Sequence, residues 1–229
     1  MSPKTIISYD DTLNDHDALA LGSVLRTAGA ELELAYVRHT TQSNRSREEL
    51  DQSQADALLE RGARWLDDLD VSRKVIVSAS TGEGLAWLAA DQDAAIVVFG
   101  SDYRTAAGHV DPGNSARRLL EGGPTAVAIA PANYRSNRNP EIHTIGVIDG
   151  DSAARETAHE IADRLGAAVV SAPAAKIDLL VVSSRPEAPE GRVMISAQAE
   201  NAIENSTAPV LVVPRGKTIR FGVPATAAL

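Results

Sequence analysis

The chain has no cysteine, which removes disulfides, thiolate metal sites and cysteine nucleophiles from consideration. It has no apolar run approaching ~18 residues, and its N-terminus lacks a secretory signal pattern, so a cytoplasmic location with no membrane partner is expected. Aromatic residues make up only 3%, and 22 Lys and Arg are outnumbered by 31 Asp and Glu, for a net charge of −9. An acidic surface repels nucleic acid and anionic lipid, and neither is an expected partner. The nucleophile elbow Gly-x-Ser-x-Gly and a Walker-type phosphate lysine are also missing, so the chain is expected to bind rather than catalyse.

With 229 residues, 44% of them hydrophobic, the chain can bury a substantial core. KTIISYD (4–10), ELELAYVRH (31–39), KVIVSAS (74–80), AAIVVFG (94–100) and TAVAIAP (125–131) read as strands. Between them, 15–29, 48–69 and 81–92 carry apolar residues at helical spacing, and SARRLL (115–120) reads as a short helix. Strands apolar on both faces, alternating with helices, imply a parallel α/β sheet covered on each side. NYRSNRNP (133–140) has no periodicity and reads as a linker, and the tail from Lys217 to Leu229 as poorly ordered.

The second half restarts this pattern. HTIGVIDG (143–150) places Asp149 on Asp10 at an offset of 139, and residues 179–214 repeat 96–131 at an offset of 83 without a gap. At that offset Gly100 falls on Ser183, Gly108 on Gly191, Gly113 on Ser196 and Pro131 on Pro214. The second copy is therefore shorter by 56 residues, equivalent to about 39–94, which hold one strand and its flanking helices. If that strand is an edge strand, its loss leaves four contiguous strands. This divides the chain into domains at 1–134 and 142–216. TAVAIAP and APVLVVP (208–214) would pair within one chain and cover each other's edges; unpaired, they would build a homodimer.

A strand ending in Asp10, and the segment Gly100…Gly113-Asn114-Ser115 before a strand ending in Pro131, resemble the universal stress protein family in its tandem form. The resemblance covers nearly the whole chain. It implies an adenine-nucleotide-alpha-hydrolase-like, flavodoxin-type fold with strand order 3-2-1-4-5 in the first domain, and a stress-associated regulatory role. It also implies ATP or AMP as ligand and leaves magnesium open. The residues it points to are Asp10, Asp11, Thr12, Val37, Gly100, Tyr103, Gly113, Asn114 and Ser115. Asp10 would contact the adenine, the glycines would admit ribose and phosphates, and Ser115 would hold phosphate oxygens.

Tyr103 stands where the family has its middle glycine, and Asn114 where it has the first Ser or Thr. Tyr103 pointing into the cleft would favour a scaffold acting through protein partners, and pointing outward would favour a nucleotide. Asn114 also suits a helix N-cap. The second domain has Ser183, Pro186 and Ser196 at the glycine positions and is expected to bind no nucleotide, with Ser196 capping its helix. Asp15, His16 and Asp17 face different sides of a helix and make no metal site; acids there complement the helix dipole. Arg117 and Arg118 read as a solvated face, His109 as a surface loop residue, and Trp65 and Trp87 as core.

Overall fold

The computed structural model describes residues 2–39, 45–137, 140–148, 150–173 and 176–222, with the backbone alone for 45–50. Among the described residues nine strands form one sheet: β1 (Lys4–Ser8), β2 (Glu31–His39), β3 (Ser72–Ser78), β4 (Ile96–Gly100), β5 (Ala126–Ala130), β6 (Thr144–Ile148), β7 (Ala168–Ser171), β8 (Leu179–Ser183) and β9 (Val210–Val213). Their order is 3-2-1-4-5-9-8-6-7. The first five run parallel in the order 3-2-1-4-5, and β9-β8-β6-β7 give the second half four contiguous strands with no counterpart of β3. β5 and β9 meet antiparallel, Val127 opposite Val212 and Ile129 opposite Val210, so the strands of the two Pro-terminated segments join the halves.

Among the described residues six α-helices cover the sheet: α1 (Leu13–Thr27), α2 (Arg45–Trp65), α3 (Thr81–Asp91), α4 (Asn114–Leu120), α5 (Ser152–Leu165) and α6 (Ala197–Glu204). Because successive strand residues point to opposite faces, each buried strand feeds two cores. Ile7, Val98, Ala128, Val181 and Leu211 meet α1, α2 and α5 on one face. Ile6, Val97, Val127, Val182 and Val212 meet α3, α4 and α6 on the other. Both cores run across the junction between the halves.

Several expectations need correction. Trp87 is 58% exposed and Trp65 38%. Each lies two residues from a buried neighbour, Leu85 and Ala63, and a step of two is about 200° around a helix, which turns the indoles outward. Residues 134–136 of the expected linker form a 3₁₀ turn docked on α1. Asp17, fully buried on α1, accepts from the backbone N–H of Asn133 and Arg135, and from the Arg135 guanidinium at 2.9 Å. Asp17 therefore anchors a chain segment rather than complementing the helix dipole. The tail is likewise docked as far as it is described: Ile219 and Phe221 are buried, and Ile219 N–H donates to Thr157 on α5. Arg117, partly exposed as a surface residue, also ties α4 to Asp111 (3.0 Å), Glu200 (3.2 Å) and Glu204 (3.5 Å), the last two on α6 across the junction. Asp149 and residues 223–229 lie outside the described residues.

Candidate functional site

β1 ends at Ser8, and the chain turns through Asp11, whose φ of 59° is left-handed, before Thr12 caps α1. The turn is held by a capping box. Asp15 Oδ2 accepts from the N–H of Asp10 (3.0 Å), the N–H of Thr12 (3.0 Å) and the Thr12 hydroxyl (2.7 Å), while Thr12 Oγ1 accepts from Asp15 N–H. Next to β1, β4 ends at Gly100, against which α1 packs so closely that a Cβ would overlap the Asn14 carbonyl oxygen. Asn14 Nδ2 also donates to the Ser101 carbonyl at 2.6 Å. Gly100 is thus required by the approach of α1.

Between these strand ends and α4 lies a cleft of ≈ 650 Å³. It sits at the carboxyl ends of β1 and β4, where strand order reverses and open α/β sheets place ligands. Asp10, Thr12, Val37, Gly100, Tyr103, Gly113, Asn114 and Ser115 all line it. Asp11 is the ninth residue of the expected set and does not line it. Its carboxylate accepts from Tyr9 Oη (2.7 Å) and Arg61 Nε (2.6 Å), with His16 stacked between Tyr9 and Trp65 alongside. Tyr103 is 73% exposed with the Arg104 guanidinium 4.9 Å from its ring centroid, so it stands at the rim without filling the cleft. Asn114 is the first helical residue and Gly113 the N-cap, which leaves the start of α4 with no side-chain cap.

Sequence reasoning missed Asp15, Asp102, Tyr36, Thr81 and Phe99, which also line the cleft. Asp102 was legible inside Gly100-Ser-Asp-Tyr, but only folding shows its carboxylate beside Gly113. The Asp10 carboxyl is held above the usual range by burial and by Asp15, and Asp15 is raised by burial despite the hydrogen bonds it accepts. Tyr36 is raised by burial and by Asp10. Among the described residues, no group of three His, Asp or Glu is arranged to hold a metal ion.

Among solved structures, the chain matches a universal stress protein from Archaeoglobus fulgidus with a TM-score of 0.70 at 15% identity, over 94% of this chain and 100% of that one. The chain has the universal stress protein fold. A Pseudomonas aeruginosa structure described as a putative universal stress protein matches with a TM-score of 0.59 at 13% identity, covering 93% of both chains. A second P. aeruginosa protein, of unknown function, matches with a TM-score of 0.57 at 13% identity and the same coverage. No family model and no curated protein matches the sequence. The matched regions span nearly the whole chain. Among the described residues no helix is long and apolar enough to cross a membrane.

The same backbone hydrogen bonds recur 83 residues apart. Ser101 Oγ donates to the Ala130 carbonyl (2.7 Å) and accepts from Asp111 N–H; Ser184 Oγ donates to the Val213 carbonyl (2.8 Å) and accepts from Met194 N–H. Gly108 N–H meets Ala132 O as Gly191 N–H meets Arg215 O, both at 2.8 Å, and both glycines have positive φ, 81° and 73°. The two halves differ at the start of the helix that follows. Ser196 Oγ accepts from Ala199 N–H and caps α6, as expected, where Gly113 leaves α4 uncapped.

Proposed function

We propose that this chain is a stress-associated regulatory protein of the UspA type, whose first half binds an adenine ligand without turning it over and whose second half is a shortened, ligand-free copy. One observation carries the reading: eight of the nine residues that the family resemblance points to line a single cleft at the switch point of the sheet. In that cleft Asp10 offers its carboxylate to the amino edge of the base, Val37 and Phe99 provide apolar walls, and Asn114 and Ser115 face the ribose side. Gly113 supports the reading from another direction. Its φ of −62° suits any residue, and a Cβ there would come no closer than 3.8 Å to any atom, so the protein's own packing does not demand a glycine. A ligand approaching the backbone does. The outward Tyr103 favours this reading over the scaffold acting through protein contacts. The test is calorimetric titration of the full chain with adenosine, AMP and ATP, together with mass identification of any small molecule released on denaturation. Binding of at least one of these compounds is expected. Binding of none at millimolar concentration overturns the reading and leaves the scaffold.

A further inference from the structure

We propose that the cleft selects the uncharged nucleoside over its phosphates, an inference that rests on the adenine reading above. Three carboxylates line the cleft, Asp10, Asp15 and Asp102, and none of the lining residues is Lys or Arg. Of the arginines around it, Arg61 pairs with Asp11, Arg117 with Asp111, Glu200 and Glu204, and Arg118 with Glu83, while Arg104 lies at the rim with its guanidinium 4.9 Å from the Tyr103 ring centroid.

Asp102 decides the matter because of where it sits. Its Oδ1 accepts from Arg104 N–H at 3.0 Å, which fixes the carboxylate, and its Oδ2 lies 3.8 Å from the position of a Cβ on Gly113. The end of the cleft at which a phosphate would meet the loop and α4 therefore already holds a negative charge from the chain. A second charge within several ångströms of it, at an effective dielectric of about 20, is disfavoured by at least a factor of ten. What the cleft offers besides its carboxylates is uncharged: the hydroxyls of Thr81 and Ser115 and the Asn114 amide. These suit ribose hydroxyls and a base amino group.

The experiment is calorimetric titration of the full chain with adenosine, AMP and ATP, each with and without Mg²⁺, on the wild type and on Asp102→Asn. In the wild type adenosine should bind at least about tenfold more tightly than AMP, with ATP weaker again. In Asp102→Asn the ratio of adenosine to AMP affinity should narrow by about tenfold. Raising the ionic strength from about 0.05 to 0.5 M should narrow the same ratio in the wild type, because screening weakens repulsion, and this arm stands even if the variant fails to fold. AMP or ATP binding as tightly as adenosine, with or without Mg²⁺, overturns the selectivity while leaving the adenine site in place. A ratio that neither the variant nor salt narrows overturns the role of Asp102. Absence of binding by all three removes the site itself.

Discussion

The two halves of the sheet carry the same loop after their fourth and corresponding strands, down to the buried hydroxyls of Ser101 and Ser184, yet they finish it differently. In the first half Gly100 lets α1 close onto β4, and Gly113 leaves α4 without a side-chain cap at the edge of an open cleft. In the second half Ser183 donates to the Ile148 carbonyl at 3.0 Å, Gly150 lies so close that a Cβ there would sit 2.6 Å from Ser183 Oγ, and Ser196 satisfies α6 internally. A groove of ≈ 550 Å³ in the second half is lined by Ile148, Pro173, Ile177, Leu180 and α6, along the sheet face that α3 covers in the first half. The lesson is that a binding cleft in this fold is a set of hydrogen bonds and contacts the chain does not make with itself. On the proposed function, making them turns a binding half into an architectural one, whose β9 covers the β5 edge.

Exchanging residues between the halves breaks the comparison most severely at the strand ends. Gly100→Ser drives a Cβ into the Asn14 backbone, which has nowhere to go, and should cost about 4 kcal/mol or more, against about 1 kcal/mol for Ser183→Gly. Urea denaturation of both variants measures the difference. The segments after β5 and β9 give the next largest contrast. Arg135→Ala leaves Asp17 buried with no cation and should cost about 3 to 5 kcal/mol. Thr218→Ala, at the position 83 residues on, removes only a hydrogen bond to the exposed Glu156 and should leave the denaturation midpoint almost unmoved.

Asp10→Ala should weaken adenine binding by about 1.5 to 3 kcal/mol, tenfold or more, through loss of a charge-assisted hydrogen bond. Because the Asp10 carboxyl is raised, its acceptor form is complete above that raised value and disappears as pH falls through it. Affinity should therefore hold at neutral pH and decline in weakly acidic buffer, before an ordinary carboxylate would protonate. Titrations across that range check both direction and onset. The smallest contrast concerns the caps. Ser196→Ala should cost about 1 kcal/mol by uncapping α6. Gly113→Ser should stabilise the ligand-free chain by a few tenths of a kcal/mol and abolish binding, a pairing of opposite effects that denaturation and titration reveal together.

The succession of strands and helices, the loss of one edge strand and the Ser196 cap were legible because each rests on local pattern: alternating apolar residues, a constant offset of 83, and a hydroxyl before a helix; the strand order 3-2-1-4-5 came only through the family resemblance. Eight cleft residues were legible only through the family resemblance. Asp11 lies off the cleft, its carboxylate held by Tyr9 and by Arg61 fifty residues away, a partner that local pattern does not reveal. The ties of Arg117 were hidden for the same kind of reason, since its partners Glu200 and Glu204 come from the other half. Trp65 and Trp87 misled because an apolar residue on an amphipathic helix is not assigned to a face by its type; its angle from Ala63 or Leu85 decides. The charge of the cleft was invisible for a further reason. Asp10, Asp15 and Asp102 are ordinary turn and cap residues in sequence, and they become a field only when β1 and β4 are laid side by side.

The central claim is that one half binds and the other does not, and the stoichiometry of adenosine binding to the full wild-type chain tests it most directly. Calorimetric titration should give one site per chain. Two sites per chain would show that the second half retains a cleft, and no binding would show that the first half has lost its own.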